Sequence, residues 1–150
     1  MAAPAQPRIS LRACTPTRIG ARYDVLERLG HGGMATVYRV RDPRRAEQVA
    51  LKQLNLPDDP ARAREITALF EREFYTLAQL SHPSVIEAYV FGLDVNGPYY
   101  TMELLAGGDV AARAPIEPLE ACRLFAQVCS SLSLVHSRRF VHRDVSPRNV

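Results

Sequence analysis

The chain has 150 residues, 47% of them hydrophobic and 23% charged, with a formal net charge of +3. That balance allows one domain with a buried core and excludes a globally disordered chain. Acidic residues are interspersed among the basic ones, so no basic stripe points to nucleic acid as a partner, and no apolar run is long enough to span a bilayer.

Residues 1 to about 20 are rich in Pro, Ala and Arg, show no period, and read as a flexible lead-in. They lack the apolar stretch of a signal peptide, so the expected location is cytoplasmic. YDVLERLG and TVYRVRD then read as strands separated by the glycine cluster GHGG, and EQVALKQL as a third. Asp58-Asp59-Pro60 opens a helical stretch to about Leu80, and Ser81-His82-Pro83 ends it. VIEAYVFG and PYYTMEL are two further strands, joined through the turn formers Asp94, Asn96 and Gly97. A turn follows at Ala106-Gly107-Gly108-Asp109. The stretch from about Pro118 to Ser137 is a second helix, with Phe125, Val128, Leu132 and Val135 on one face. Of the three cysteines, Cys14, Cys122 and Cys129, the last two lie seven apart on this helix and are expected as small buried apolar residues. Three scattered cysteines make neither a disulfide framework nor a zinc site. The order predicts an α+β fold: a five-stranded antiparallel sheet with one long helix after its third strand, then the start of a helical region.

The segment from Leu29 through Gly30, His31, Gly32, Gly33, Met34, Ala35 and Thr36 to Val37 joins two strands. Glycines let a backbone turn sharply and approach phosphates closely; alone they are equally consistent with a ligand-free hairpin. A dinucleotide loop is excluded, because strand rather than helix follows. On the third strand Ala50 and Lys52 share a face, which makes room for a flat ring and supplies a cation. On the next helix Ile66, Phe70, Leu77 and Leu80 form an apolar stripe, and Glu73 falls within it. A carboxylate in an apolar stripe calls for a cation, and Lys52 is the candidate. Glu65 and Glu71 lie off the stripe.

His142-Arg143-Asp144-Val145-Ser146-Pro147-Arg148-Asn149 is the most specific feature. Its spacing resembles the protein-kinase catalytic loop, His-Arg-Asp followed by Asn five residues after the Asp. Taken in order with the glycine loop, Lys52, Glu73 and a hinge-like YYTMELLAGGD, it is similar to bacterial serine/threonine protein kinases over residues 23 to 150. The resemblance implies a protein-kinase-like fold, with residues 21–104 as the N-lobe and 105–150 as the hinge and start of an incomplete C-lobe. It implies ATP and Mg2+ as cofactors, phosphoryl transfer to a protein hydroxyl, and a protein substrate. Asp144 would be the catalytic base, Lys52 and Glu73 its companion pair, and Asn149 a metal ligand. The nucleotide would meet Leu29, Gly30, His31, Gly32, Gly33, Val37 and Ala50, with Met102 behind the adenine, the backbones of Glu103 and Leu105 at its edge, and Asp109 near the ribose. Asp109 could equally be a helix cap.

The pattern departs from the family in three places. Ala35 replaces the third loop glycine. Ser146 stands where the serine/threonine pattern has a lysine, and Arg148 is expected to supply the missing cation. The chain also ends before the Asp-Phe-Gly metal motif, so the 150 residues alone are expected to be inactive. An inactive fragment or a nucleotide-binding pseudokinase is the alternative reading.

Overall fold

The computed structural model describes residues 17–44 and 46–150; Cys14 and most of the expected lead-in lie outside the described residues. In chain order the elements are β1 (Arg18–Ile19), β2 (Tyr23–His31), β3 (Ala35–Asp42), β4 (Glu47–Leu54), α1 (Pro60–Ala78), β5 (Ala88–Asp94), β6 (Gly97–Met102) and α2 (Pro118–Ser137). The strands form one sheet in the order β1-β2-β3-β4-β6-β5, and every neighbouring pair is antiparallel.

The sheet thus has six strands, not the expected five, because Arg18 and Ile19 pair with Asp24 and Tyr23. Arg18 and Ile19, expected as part of the lead-in, thus belong to the sheet. Ile19 is fully buried against Tyr23 and Val40. Two residues are too few for an alternation to show in sequence.

The sheet has a packed layer on each face, and β4 sorts its residues between them. Val49 and Leu51 point into a cluster with Ile19, Tyr23, Tyr38, Val40 and Tyr99. Ala50, Lys52 and Leu54 point the opposite way, where Leu54 meets Phe70, Phe74 and Tyr100. Burying each large side chain here contributes about 1.5–3 kcal/mol.

Helix α1 starts where Asp59 accepts a hydrogen bond from the Ala61 amide (3.0 Å) and Pro60 occupies the first turn. Its inward residues are Phe70 and Phe74, flanked by Ile66 and Leu77. Phe74 completes the stripe at the usual spacings of three and four.

Helix α2 spans the expected residues, but Val135 is its one buried residue among those described. Cys122 and Cys129 are exposed, which corrects the expectation of burial. At roughly 100° per residue they sit about 120–140° round the helix from Val135. Val128 and Leu132 lie nearer that azimuth and are half-buried, while Phe125 is 69% exposed. Among the described residues no helix is long and apolar enough to cross a membrane.

Candidate functional site

The strand register brings the first set of site residues together. On β4, Lys52 is paired with Val37 of β3 on one side and with Tyr100 of β6 on the other. Ala50 is paired with Met102, and both lie on the face that looks toward α1. Ala50 is 4% exposed and Met102 packs against the Phe70–Phe74 cluster.

Lys52 Nζ lies 2.6 Å from Glu73 Oε1. The same oxygen accepts a hydrogen bond from the Tyr100 hydroxyl at 2.6 Å. Lys52 also stands over the rings of Phe70 and Tyr100, at 5.8 and 5.6 Å from their centroids. Glu73 is not inside the buried stripe as its spacing implied: its side chain is 44% exposed. Phe74, one residue on, takes the inward position, and Glu73 sits at the margin of the stripe. There its carboxylate meets Lys52 without full desolvation.

Tyr100 was not legible as a site residue, because its role depends on which strand lies beside β4. It is 2% exposed. Burial foremost, then the Glu73 charge and the hydrogen bond to it, push its hydroxyl far above the usual tyrosine range. It therefore donates to Glu73 at every ordinary pH.

The glycine loop forms the β2–β3 turn. Leu29, Gly30, His31, Gly32 and Gly33 are all exposed. A Cβ added at Gly30 or Gly33 would meet nothing within 4 Å, and neither residue has a positive φ. The fold itself does not require glycine at these two positions. Ala35, in the third glycine place, already belongs to β3 and pairs with Leu54, a conformation any residue adopts.

Beyond β6 the Glu103 amide donates to the Glu87 carbonyl at 2.9 Å, so only its own carbonyl can face a ligand. Leu105 is 62% exposed. Asp109 caps the turn that follows, accepting from the Ala112 amide at 2.7 Å through Oδ1.

The second set lies in residues 142–149. Asn149 Nδ2 donates to both Asp144 Oδ2 and the Asp144 carbonyl, each at 2.9 Å. The Asp144 amide donates to His142 Nδ1 at 3.3 Å, and Arg143 between them has φ +65°, a left-handed conformation that strains a residue with a Cβ. The amides of Val110 and Ala111 donate to the carbonyls of Val150 and Pro147 at 2.9 and 3.0 Å. The segment behind Asp109 is therefore fastened to the one that carries Asn149. Among the described residues Arg148 makes no hydrogen bond or ion pair, and no such bond joins the Lys52–Glu73 pair to the 142–149 loop.

Asn149 engages Asp144 through nitrogen, so its Oδ1 remains an oxygen donor beside a carboxylate. Two oxygen groups of this kind suit magnesium, which takes few protein ligands and completes its shell with water and phosphate. Among the described residues there is no cluster of three or more His, Cys, Asp or Glu side chains that could hold a metal alone.

The family model for the protein kinase domain matches residues 23–150. The chain is 34% identical to the serine/threonine-protein kinase PrkC of Bacillus subtilis over 89% of its own length and 21% of that protein's. It is 39% identical to the DNA damage-responsive serine/threonine-protein kinase RqkA of Deinococcus radiodurans, over 89% of this chain and 20% of the relative. With PknB of Mycolicibacterium smegmatis it shares 36% identity, over 91% of this chain and 23% of the relative. The chain thus spans about a fifth of the length of these relatives. The crystal structure of the PknI kinase domain of Mycobacterium tuberculosis superposes with a TM-score of 0.70 at 32% identity, covering 89% of this chain and 55% of that one. With the glycine loop, the strand lysine and the His-Arg-Asp loop in this order and fold, the chain belongs to the protein kinase domain family.

Proposed function

We propose that the chain carries the nucleotide-binding half of an ATP-dependent serine/threonine protein kinase, which moves a phosphoryl group from Mg-ATP to a protein hydroxyl. The observation that carries this reading is the 2.6 Å pair between Lys52 and Glu73 on the face shared by Val37 and Ala50. A strand lysine fixed by a helix carboxylate is a cation held ready for phosphate oxygens.

In this reading residues 21–104 are the N-lobe and 105–150 the hinge and the start of the C-lobe. Val37 and Ala50 sandwich a flat base from the sheet side, and Met102 closes the back. The Glu103 carbonyl and the Leu105 amide supply the acceptor and donor that an adenine edge requires. Asp109 keeps Oδ2 for the ribose while Oδ1 caps its turn. Leu29, His31 and Gly33 cover the phosphates, and the open space where Cβ atoms would stand at Gly30 and Gly33 supports that approach.

Asp144 accepts the proton of the substrate hydroxyl as its oxygen bonds to the γ-phosphorus and the bond to ADP breaks. Asn149 fixes the Asp144 carboxylate through Nδ2 and offers Oδ1 to magnesium, which supplies charge neutralisation when bound. Arg148 faces solvent and is free to balance the charge of the transferring group where Ser146 cannot.

The absence of a partner for Arg148 among the described residues, together with Ser146, favours one second reading: a nucleotide-binding chain that transfers slowly or not at all. Titrating the protein with Mg-ATP and following transfer to a serine-containing protein separates them. Binding is read on the chain itself and transfer on a form that carries a complete kinase domain. Saturable binding with transfer in that form supports the kinase, saturable binding without transfer in that form supports the second reading, and absence of binding overturns both.

A further inference from the structure

The glycine loop has a fastening of its own, anchored by Asn55, which lies outside the segment that marks the loop. Asn55, the first residue beyond β4, donates from Nδ2 to the Gly32 carbonyl at 3.0 Å. Its own amide donates to the Met34 carbonyl at 2.8 Å. The Thr36 hydroxyl donates to Asn55 Oδ1 at 3.0 Å, and His31 Nδ1 lies 2.9 Å from the Thr36 oxygen. The Gly32 amide in turn donates to the Ala35 carbonyl at 2.9 Å.

The direction of each bond follows from donor chemistry alone. A carbonyl only accepts, so the Gly32 carbonyl must face the nitrogen of the Asn55 amide. Asn55 Oδ1 then faces Thr36, whose single hydroxyl proton is committed to it. His31 Nδ1 must therefore carry a proton and donate to Thr36.

Thr36 is 5% exposed and lies on the same sheet face as Tyr38 and Val40. Val37 and Lys52 point to the other face. The network grips the loop from behind, leaving the Lys52 face clear. Five consecutive exposed residues, three of them glycine, would otherwise sample many conformations.

We propose that Asn55, acting through Thr36 and the Gly32 carbonyl, is a positioning residue that pre-organises the glycine loop for phosphate. The functional consequence rests on the nucleotide reading above; the latch itself does not. Holding the loop in its binding conformation lowers the ordering cost of binding.

The test uses the 150-residue chain and the variants Asn55→Ala, Thr36→Val and Thr36→Ser. Amide hydrogen exchange is first read without nucleotide. Asn55→Ala and Thr36→Val should speed exchange at Gly32 about tenfold, the scale of one or two lost hydrogen bonds. Leu51 and Val40 in the strand ladders should keep their rates, and Thr36→Ser, which retains the hydroxyl, should match the parent. ATP affinity should fall about tenfold in the first two variants and hold in the third. Unchanged exchange at Gly32, or an equal rise throughout β3 and β4, overturns the latch. Should Asn55→Ala not fold, the parent still decides: its Asn55 side-chain amide should exchange more slowly than a free asparagine amide, and equal rates overturn the proposal. A parent with the latch but no ATP binding refutes the kinase reading and leaves the latch standing.

Discussion

Glu73 Oε1 is shared: Lys52 Nζ reaches it at 2.6 Å from β4, and the Tyr100 hydroxyl reaches it at 2.6 Å from β6. Lys52 and Glu73 are 27% and 44% exposed at their side chains, so solvent screens the pair and its contribution to stability is small. Its value lies in fixing where the ammonium stands. Glu73→Gln should therefore cost less than about 1 kcal/mol in stability. The same change should weaken Mg-ATP binding on the order of tenfold, because the amide holds the lysine poorly. Thermal unfolding and nucleotide titration of the same samples check this. Loss of fold with unchanged affinity in the folded fraction would assign the pair a structural role instead.

Tyr100→Phe removes one hydroxyl and keeps the ring that packs on Phe70 and Phe74. The expected loss is about 1 kcal/mol, one hydrogen bond with no buried group stranded. The pH dependence has a definite sign. The hydroxyl is held protonated in the folded chain, chiefly by burial and next by Glu73. Above the ordinary tyrosine value near 10 the unfolded chain loses its proton first, so stability is full below that pH and falls as pH rises above it. Tyr99 is shifted the same way by burial. Tyr100→Phe should make the alkaline fall shallower without removing it. Denaturant midpoints between pH 8 and 11 read this directly; an identical slope in the variant would refute the shift.

Much of this was legible in the sequence because the signals were local. The strand period in EQVALKQL put Ala50 and Lys52 on one face, as found, and the structure buries Val49 and Leu51 on the other. The bounds of α2 are set by Pro118 and by the chain's turn at Arg138. What stayed hidden depended on contacts between distant segments. Ile19 is buried only because β1 folds back on Tyr23. Tyr100 matters only because β6 pairs with β4, and Asn55 only because it sits under a loop whose glycines show no sign of it. The cysteines of α2 misled because a spacing of seven fixes a common face, not which face is covered.

Asp144 and Asn149 hold each other through two hydrogen bonds, so their variants should differ in kind. In an active form of the protein, Asp144→Asn should lower turnover by roughly 10²–10⁴-fold with ATP affinity unchanged, since a base is lost and no phosphate contact. Asn149→Ala should instead raise the magnesium concentration needed for half-maximal turnover. Kinetics at varied magnesium separate the two. Equal magnesium dependence in parent and Asn149→Ala would remove Asn149 from the metal site.

Arg148 is exposed, and Ser146 beside it offers only a hydroxyl. If Arg148 balances the transferring charge, Arg148→Ala should cost turnover on the order of a hundredfold, the scale of one lost electrostatic stabiliser. Ser146→Lys in the Arg148→Ala background should restore part of it. Unchanged turnover in Arg148→Ala would show that the arginine is merely solvated.

The central claim is that Lys52, fixed by Glu73, is the phosphate-binding cation of an ATP site. Its most direct measurement is calorimetric titration of the parent chain and of Lys52→Met with Mg-ATP and with adenosine. The parent should bind Mg-ATP saturably, Lys52→Met should bind it at least about tenfold more weakly, and the two should bind adenosine alike, since one charged contact to phosphate is lost and the base pocket is kept. Equal Mg-ATP affinity in the parent and Lys52→Met, or a parent that binds no nucleotide, would contradict the account.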